Sequence, residues 1–235
     1  MGKSILITGA SSGIGASVAK LFLSQGWNVG LLARRVDQLA KVADGYPNAQ
    51  IVKCDVTVED QVVTGFNDVS DRFGGIDVLF NNAGIFTPQA RIDQITLNDW
   101  QRSLDVNLTG MFLCAREAFR HMRTNGGRII NNGSISAQTP REGSAPYTAT
   151  KHAITGLTKT IALDGRDLNI CCGQIDIGNA HTEMVETLIR AGGTTATMDV
   201  SDAAQAVWNM AQLPLSTNVL SMTIMANKMP FVGRG

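Results

Sequence analysis

Ser4-Ile5-Leu6-Ile7-Thr8-Gly9-Ala10-Ser11-Ser12-Gly13-Ile14-Gly15-Ala16-Ser17-Val18-Ala19-Lys20-Leu21-Phe22-Leu23 is the stretch from which the fold can be read. A β-rich apolar run, Ser4–Thr8, passes through a glycine turn into a segment with apolar residues at three-to-four spacing, the period of a helix. The glycines fall at 9, 13 and 15, a G-x3-G-x-G spacing. Glycines in such a turn let backbone approach a pyrophosphate, and the free N–H groups and dipole of the helix favour its charge. A tight strand-to-helix connection would look much the same, so the position after the first strand is what gives the turn its weight.

Outward from this unit the alternation repeats. Strands are expected at Ser4–Thr8, Asn28–Leu32, Gln50–Cys54, Asp77–Phe80, Gly127–Asn131, Asn169–Ile175 and Val219–Met225. Helices are expected at Ile14–Gln25, Val36–Val42, Val58–Phe73, Leu97–Met122, Tyr147–Leu163, Glu183–Ile189 and Val200–Gln212, with Thr57-Val58-Glu59-Asp60 as a capping box. Apolar strands separated by helices belong in a parallel sheet covered on both faces. No linker, repeat or low-complexity tract interrupts the pattern. The expectation is one doubly wound α/β domain, a Rossmann fold of about seven strands with helices on both faces, over residues 1–235.

Composition narrows the function. Hydrophobic residues make up 44% and charged residues 17%, enough for a packed core and unlike a disordered chain. Twenty basic residues balance twenty acidic ones without clustering, so neither nucleic acid nor membrane is expected as a partner. The first apolar run is too short for a signal-peptide core and no stretch approaches a membrane span, which points to the cytoplasm. Cys54, Cys114, Cys171 and Cys172 have no CxxC spacing and lie in apolar runs, so neither disulfide nor metal is expected. His121 and His181 have no companions at metal-ligand spacing.

The end of the second strand bears on the cofactor. An acidic residue there would bind the ribose 2′-OH of NAD. This chain has Leu32-Ala33-Arg34-Arg35 instead, with no carboxylate before Asp37. An arginine fork suits a 2′-phosphate, and two cations at a helix start oppose its dipole unless they serve a purpose. NADP(H) is inferred, with Arg34, nearer the strand end, expected to lead over Arg35.

Tyr147 and Lys151 lie four apart at a helix start and so share a face. That spacing is common by chance. Ser134, however, ends a strand thirteen residues before Tyr147, and Asn81-Asn82-Ala83-Gly84 ends the strand before that. With Thr8–Gly15 and with Asn107 in Asp105-Val106-Asn107-Leu108-Thr109-Gly110, the chain resembles the short-chain dehydrogenase/reductase family, in its single-domain class, from its start through Thr182.

The resemblance implies an oxidoreductase that moves a hydride between nicotinamide and a carbonyl or alcohol substrate. It implies Tyr147 as general acid/base, Ser134 on the substrate oxygen, Lys151 on the nicotinamide ribose and Asn107 holding a water that links Lys151 to solvent. A free phenol ionises near ~10, and Lys151 is one cation expected to lower that value. By matching position, Gly9, Ser11, Ser12, Gly13 and Ile14 would line the pyrophosphate and ribose, Asp55 and Val56 the adenine, and Asn82, Ala83 and Gly84 the cofactor ribose. Gly178 and Thr182 would stand near the nicotinamide. A homo-oligomer, dimer or tetramer, is expected. His152 points about 100° from Lys151 around the helix and is given no role.

The chain departs from the family at Gln174-Ile175-Asp176-Ile177-Gly178, where Ile177 replaces a proline and Asp176 adds an acid. Asp176 is expected either to meet a cationic or hydroxylated substrate or to cap a turn or pair with a local arginine. The apolar tail Met229-Pro230-Phe231 is expected to dock on a neighbouring subunit or close the substrate cleft. Glu183–Met198, with Gly192-Gly193, would cover the substrate. A catalytically silent dinucleotide-binding or sensing protein is the alternative on this fold. The complete Asn107, Ser134, Tyr147 and Lys151 set favours the enzyme.

Overall fold

In the computed structural model, which describes residues 2–182, 185–186 and 196–231, strands and helices alternate along the chain. They are β1 (Ser4–Thr8), α1 (Gly13–Ser24), β2 (Asn28–Ala33), α2 (Val36–Ala43), β3 (Ala49–Lys53), α3 (Glu59–Phe73) and β4 (Val78–Asn81), then α4 (Leu97–Leu104), α5 (Gly110–Met122), β5 (Gly127–Asn132), α6 (Ala145–Asp164), β6 (Ile170–Ile177), α7 (Val200–Gln212) and β7 (Ser221–Ile224). The strands form one seven-stranded sheet in the order β3-β2-β1-β4-β5-β6-β7, every pair parallel. This is the expected Rossmann architecture. The expected helix at Glu183–Ile189 and most of Glu183–Met198 lie outside the described residues.

Alternation along each strand builds two cores. Ile5 and Ile7 of β1 pack with Val18 and Phe22 of α1 and Val207 and Met210 of α7. Leu6, between them, faces Phe66 and Val69 of α3 and Cys114 and Ala118 of α5. A strand buried on both faces is mostly apolar, which is why Ile5, Leu6 and Ile7 of β1 read as a continuous run. Phe22, Trp27 and Trp208 join α1 to α7 edge to face, with centroids 5.1, 4.8 and 5.8 Å apart. Gly30 lets α3 approach the sheet, since a Cβ there would lie 2.7 Å from a Val69 methyl.

Two local expectations are corrected. The capping box at Thr57 does not form: Val58 is the N-cap of α3 and no side chain bonds there. Thr57 N and Oγ1 instead donate to Asp55 Oδ1 at 3.0 and 2.8 Å, because a carboxylate two residues upstream captures both donors in an Asx turn. The expected Leu97–Met122 helix is continuous but carries a π-turn at Asp105–Thr109, where Gly110 N donates to Asp105 O.

All four cysteines are buried and unpaired. Arg128, on β5, is buried as well. Its Nη2 donates to the carbonyls of Leu213, Pro214 and Thr217 at 3.2, 3.1 and 2.8 Å, fastening the connection between α7 and β7. Among the described residues no helix is long and apolar enough to cross a membrane, and no His/Cys/Asp/Glu group could hold a metal.

Candidate active site

Crossovers leave β1 and β4 in opposite directions along the sheet, so their carboxyl ends open a crevice, the place where ligands bind in such sheets. The glycine turn lies on its rim. Gly9 and Gly13 take φ values of +66° and +54°, and a Cβ on Gly15 would stand 2.4 Å from Gly9 O. Ser12 caps α1 without a side-chain bond and the first turn carries no acid, so the positive end of the helix faces the loop uncompensated. Thr8 Oγ1 accepts from Asn82 N and Ala83 N at 2.9 and 3.0 Å, and Asn82 Nδ2 donates to Thr8 O at 3.0 Å, tying the loop to the end of β4.

The two arginines diverge. Arg35 Nη2 donates to Ser12 Oγ at 2.7 Å and Ser11 Oγ at 3.1 Å, lying across the loop. Arg34 turns away, its Nη1 3.9 Å from Asp55 Oδ2. Position in sequence favoured Arg34, but the guanidinium over the loop is that of Arg35. Asp55 and Val56 follow β3, and Val56 packs under Gly110. Ile14 is partly buried against the α1 core. Thr182 comes close to the glycine turn, with its methyl 3.2 Å from where a Gly13 Cβ would be, whereas Gly178 faces Met225 and Met229. Met229 thus folds back on its own chain, and Val232–Gly235 lie outside the described residues. Left-handed glycines, an open helix N-terminus and an arginine-serine cluster suit the phosphates of a dinucleotide.

Beside this crevice, α6 begins at Ala145 with Pro146 in its first turn, which presents Tyr147 at once. Tyr147 is half-buried, packs on Phe86 with centroids 4.2 Å apart and has its phenol beside the Ser134 hydroxyl. Burial pushes the phenol above its ordinary value; Ser134 and Arg141 lower it, and Asp176 raises it further. Lys151 Nζ is 5.5 Å from the Tyr147 ring and donates to Asn132 O at 2.7 Å, one turn further into the protein. Burial brings the lysine down to about 8, against a pull upward from Asp176.

Ser134 caps a short 3-10 turn, its Oγ accepting from Ser136 N at 3.1 Å. Asn107 is fully buried in the π-turn. Its Oδ1 accepts from Ile85 N at 2.7 Å and its Nδ2 donates to Ile85 O at 2.9 Å, clamping the segment after β4 that contains Gly84. The same Nδ2 also reaches Ser103 Oγ at 3.3 Å, so the amide ties the turn to the segment after β4 and to α4. His152 Nδ1 stands 2.9 Å from Thr148 O on the exposed side of α6, and His181 pairs with Glu186 at 3.1 Å.

Asp176 does not pair with an arginine and is not open to a substrate. It is 2% exposed and bonds Ser134 N, Gln174 and Gln138, because β6 carries it under the turn that begins at Ser134. Asn132 and Gln138 were not singled out from sequence, and Thr8 only as the first residue of the glycine motif. The signal was there for Asn132, since Asn131-Asn132 follows the apolar Ile129-Ile130 at a strand end.

The model of the short chain dehydrogenase family matches residues 3–193. The chain belongs to that family. This short-chain dehydrogenase is an oxidoreductase of the CH–OH/C=O couple. It is 34% identical over 188 residues to a 3beta-hydroxysteroid dehydrogenase of Mediterraneibacter gnavus, covering 78% of this chain and 68% of that one. Its fold is similar to 3-ketoacyl-(acyl-carrier-protein) reductase from Brucella melitensis complexed with NADH, at TM-score 0.90 and 26% identity over 96% of this chain and 98% of that one. The closed form of serine dehydrogenase complexed with NADP+ gives TM-score 0.91 and 25% identity, over 99% and 98%.

Proposed function

We propose that this short-chain dehydrogenase is an NADP(H)-dependent carbonyl reductase or alcohol dehydrogenase with Tyr147 as its acid/base. The observation that carries the reading is the meeting of the Tyr147 phenol with the Ser134 hydroxyl above the Lys151 ammonium, at the strand ends that flank the glycine turn. When bound, the dinucleotide supplies the hydride. As a substrate carbonyl becomes an alkoxide, negative charge grows on its oxygen, and that charge needs a donor and a proton at hydrogen-bond distance. Ser134 orients the oxygen and Tyr147 Oη gives up the proton. The raised phenol keeps that proton through neutral pH, which suits reduction. Lys151 stands as the cation behind the phenolate that remains.

NADP(H) preference is supported by Arg35, whose bonds to Ser11 and Ser12 place a guanidinium where a 2′-phosphate would find paired donors. The water link from Lys151 to solvent runs, in this reading, past the Asn107 main chain. Assembly into two or four copies, action as one domain over 1–235 and a cytoplasmic location belong to the same proposal, and sedimentation reads the first.

The test is NADPH oxidation across ketones, aldehydes, quinones and sugars beside NADH and a Tyr147→Phe variant. Y147F is expected to lose ~10²–10⁴-fold in turnover while still binding NADPH, since general acid catalysis contributes about that much. Full activity in the variant would overturn the role of Tyr147, and better turnover with NADH would overturn the cofactor assignment.

A further inference from the structure

Asp176 takes no part in the chemistry described above, yet it is one of only two buried carboxylates among the described residues. The other, Glu117, has Arg116 and Arg120 against it. The donors to Asp176 are all uncharged: Ser134 N at 3.0 Å and Gln174 Nε2 at 2.6 Å on Oδ1, and Gln138 Nε2 at 2.8 Å on Oδ2. Such bonds stabilise a carboxylate in a buried site without cancelling its charge. The space it occupies exists because residue 133 is glycine, where a Cβ would stand 2.1 Å from Asp176 Oδ1.

The carboxylate is also braced from both sides. Gln174 shares a hydrogen bond with Thr158 at 3.4 Å, and Thr158 Oγ1 accepts from Asn131 Nδ2 at 2.9 Å. Asn131 Oδ1 in turn accepts from Asn81 at 3.2 Å. On the other side Gln138 Nε2 reaches Thr223 Oγ1 of β7 at 3.0 Å. The group is held by β5, β6, α6 and β7 together and has one place to be.

We infer that Asp176 is a positioning residue of the acid/base site, a buried carboxylate that fixes the Ser134 backbone beside the Lys151 and Tyr147 side chains. The inference rests on the reading of Tyr147 as proton donor. Lys151 and Tyr147 of α6 are the titratable groups that feel the carboxylate, and Arg141, in the loop before α6, is the opposing charge on Tyr147. The donors from β5, β6 and the turn after Ser134 are neutral, as is Thr223. Burial alone drives the ammonium toward losing its proton, and Asp176 acts against that loss. It also raises the phenol. Both groups are thereby kept protonated, the state needed to reduce a carbonyl.

Tyr46 and Tyr147 are the only tyrosines in the chain, so an ultraviolet tyrosinate titration, with Y147F subtracted, isolates Tyr147 without substrate or cofactor. In D176N the Tyr147 midpoint is expected to fall by ~0.5 unit or more, with D176S moving it the same way. Circular dichroism and NADPH binding show that each variant is folded. With a carbonyl that the wild type reduces, the alkaline limb of the turnover profile moves to lower pH in D176N while KM for NADPH stays put. A folded variant with an unmoved midpoint overturns the inference, and so does failure of both variants to fold, which would make the carboxylate a folding element only. Absence of NADPH oxidation by the wild type with every carbonyl would sink the enzymatic reading while leaving the titration result standing.

Discussion

A guanidinium over two serine hydroxyls and another turned toward a carboxylate show how much a single residue position decides. Arg34 and Arg35 are adjacent, but only Arg35 spans Ser11 and Ser12. A charge-assisted hydrogen bond contributes about 1.5–3 kcal/mol, or roughly ten- to a hundredfold. Arg35→Ser is expected to raise KM for NADPH by about that factor and leave NADH little changed, with Arg34→Ser affecting NADPH less. Steady-state kinetics with both nucleotides check this, and equal losses from the two variants would contradict it. The sequence located this pair without showing which member would act, because linear order does not say where a long side chain points. Tyr147, Lys151 and Ser134 were easier to find: four residues on a helix fix a shared face, and a strand end fixes the serine. Asp176 was visible only as an anomaly, since its partner Ser134 lies 42 residues away.

At the scale of an element, the π-turn between α4 and α5 carries a positional consequence. One extra residue in the turn aims Asn107 at the Ile85 backbone, where its amide replaces a missing strand partner with a reciprocal pair of bonds. Asn107→Ala leaves the Ile85 N–H and C=O without that partner, at about 1–3 kcal/mol. The variant is expected to melt lower and to bind NADPH more weakly through the loosened Asn82–Gly84 segment. Calorimetry and nucleotide titration measure both, and an unchanged nucleotide affinity would confine Asn107 to stability. The helical period announced the helix from Leu97 to Met122 but could not reveal the π-turn, because five residues with a wider hydrogen bond hardly disturb an apolar stripe. The capping box failed for a similar reason: Asp55, outside the four-residue motif, competes for Thr57.

For the whole molecule, the order of strands and helices was legible almost throughout, since the strands of a sheet buried on both faces are mostly apolar, and the buried Arg128, Asn131 and Asp176 fall at only a few positions. Alkaline pH should separate activity from stability. Lys151 has a folded value of about 8 against an ordinary 10.5, so between those values the unfolded chain binds more protons and stability gains as pH rises. Cys54 is raised from 9.0 to about 11, and burial raises Cys114 and Cys172 as well. Above 9.0 the unfolded chain releases protons that these thiols retain, and each then loses about 1.4 kcal/mol per pH unit until its folded value is reached. Three thiols outweigh one lysine. Turnover is expected to fall as pH rises through about 8 while Tm holds or climbs, and Tm then drops steeply above 9. Melts and kinetics across pH 7–11, a range of ~4 units, read this, and a parallel decline of both would refute it.

Arg128 ties the edge of the sheet to its middle. Its guanidinium reaches from β5 to three carbonyls just before β7, joining residues 85 to 89 positions apart. The last strand, four residues long and half exposed, has little apolar surface of its own to draw it in. It is therefore expected to depend on this latch and to be the first strand to leave when the latch is cut. In Arg128→Met the amides of Ser221–Ile224 should exchange hydrogen far sooner than those of β1, with the cofactor half of the protein still closed. Uniform exchange across all seven strands would instead mean that β7 is held by the sheet alone.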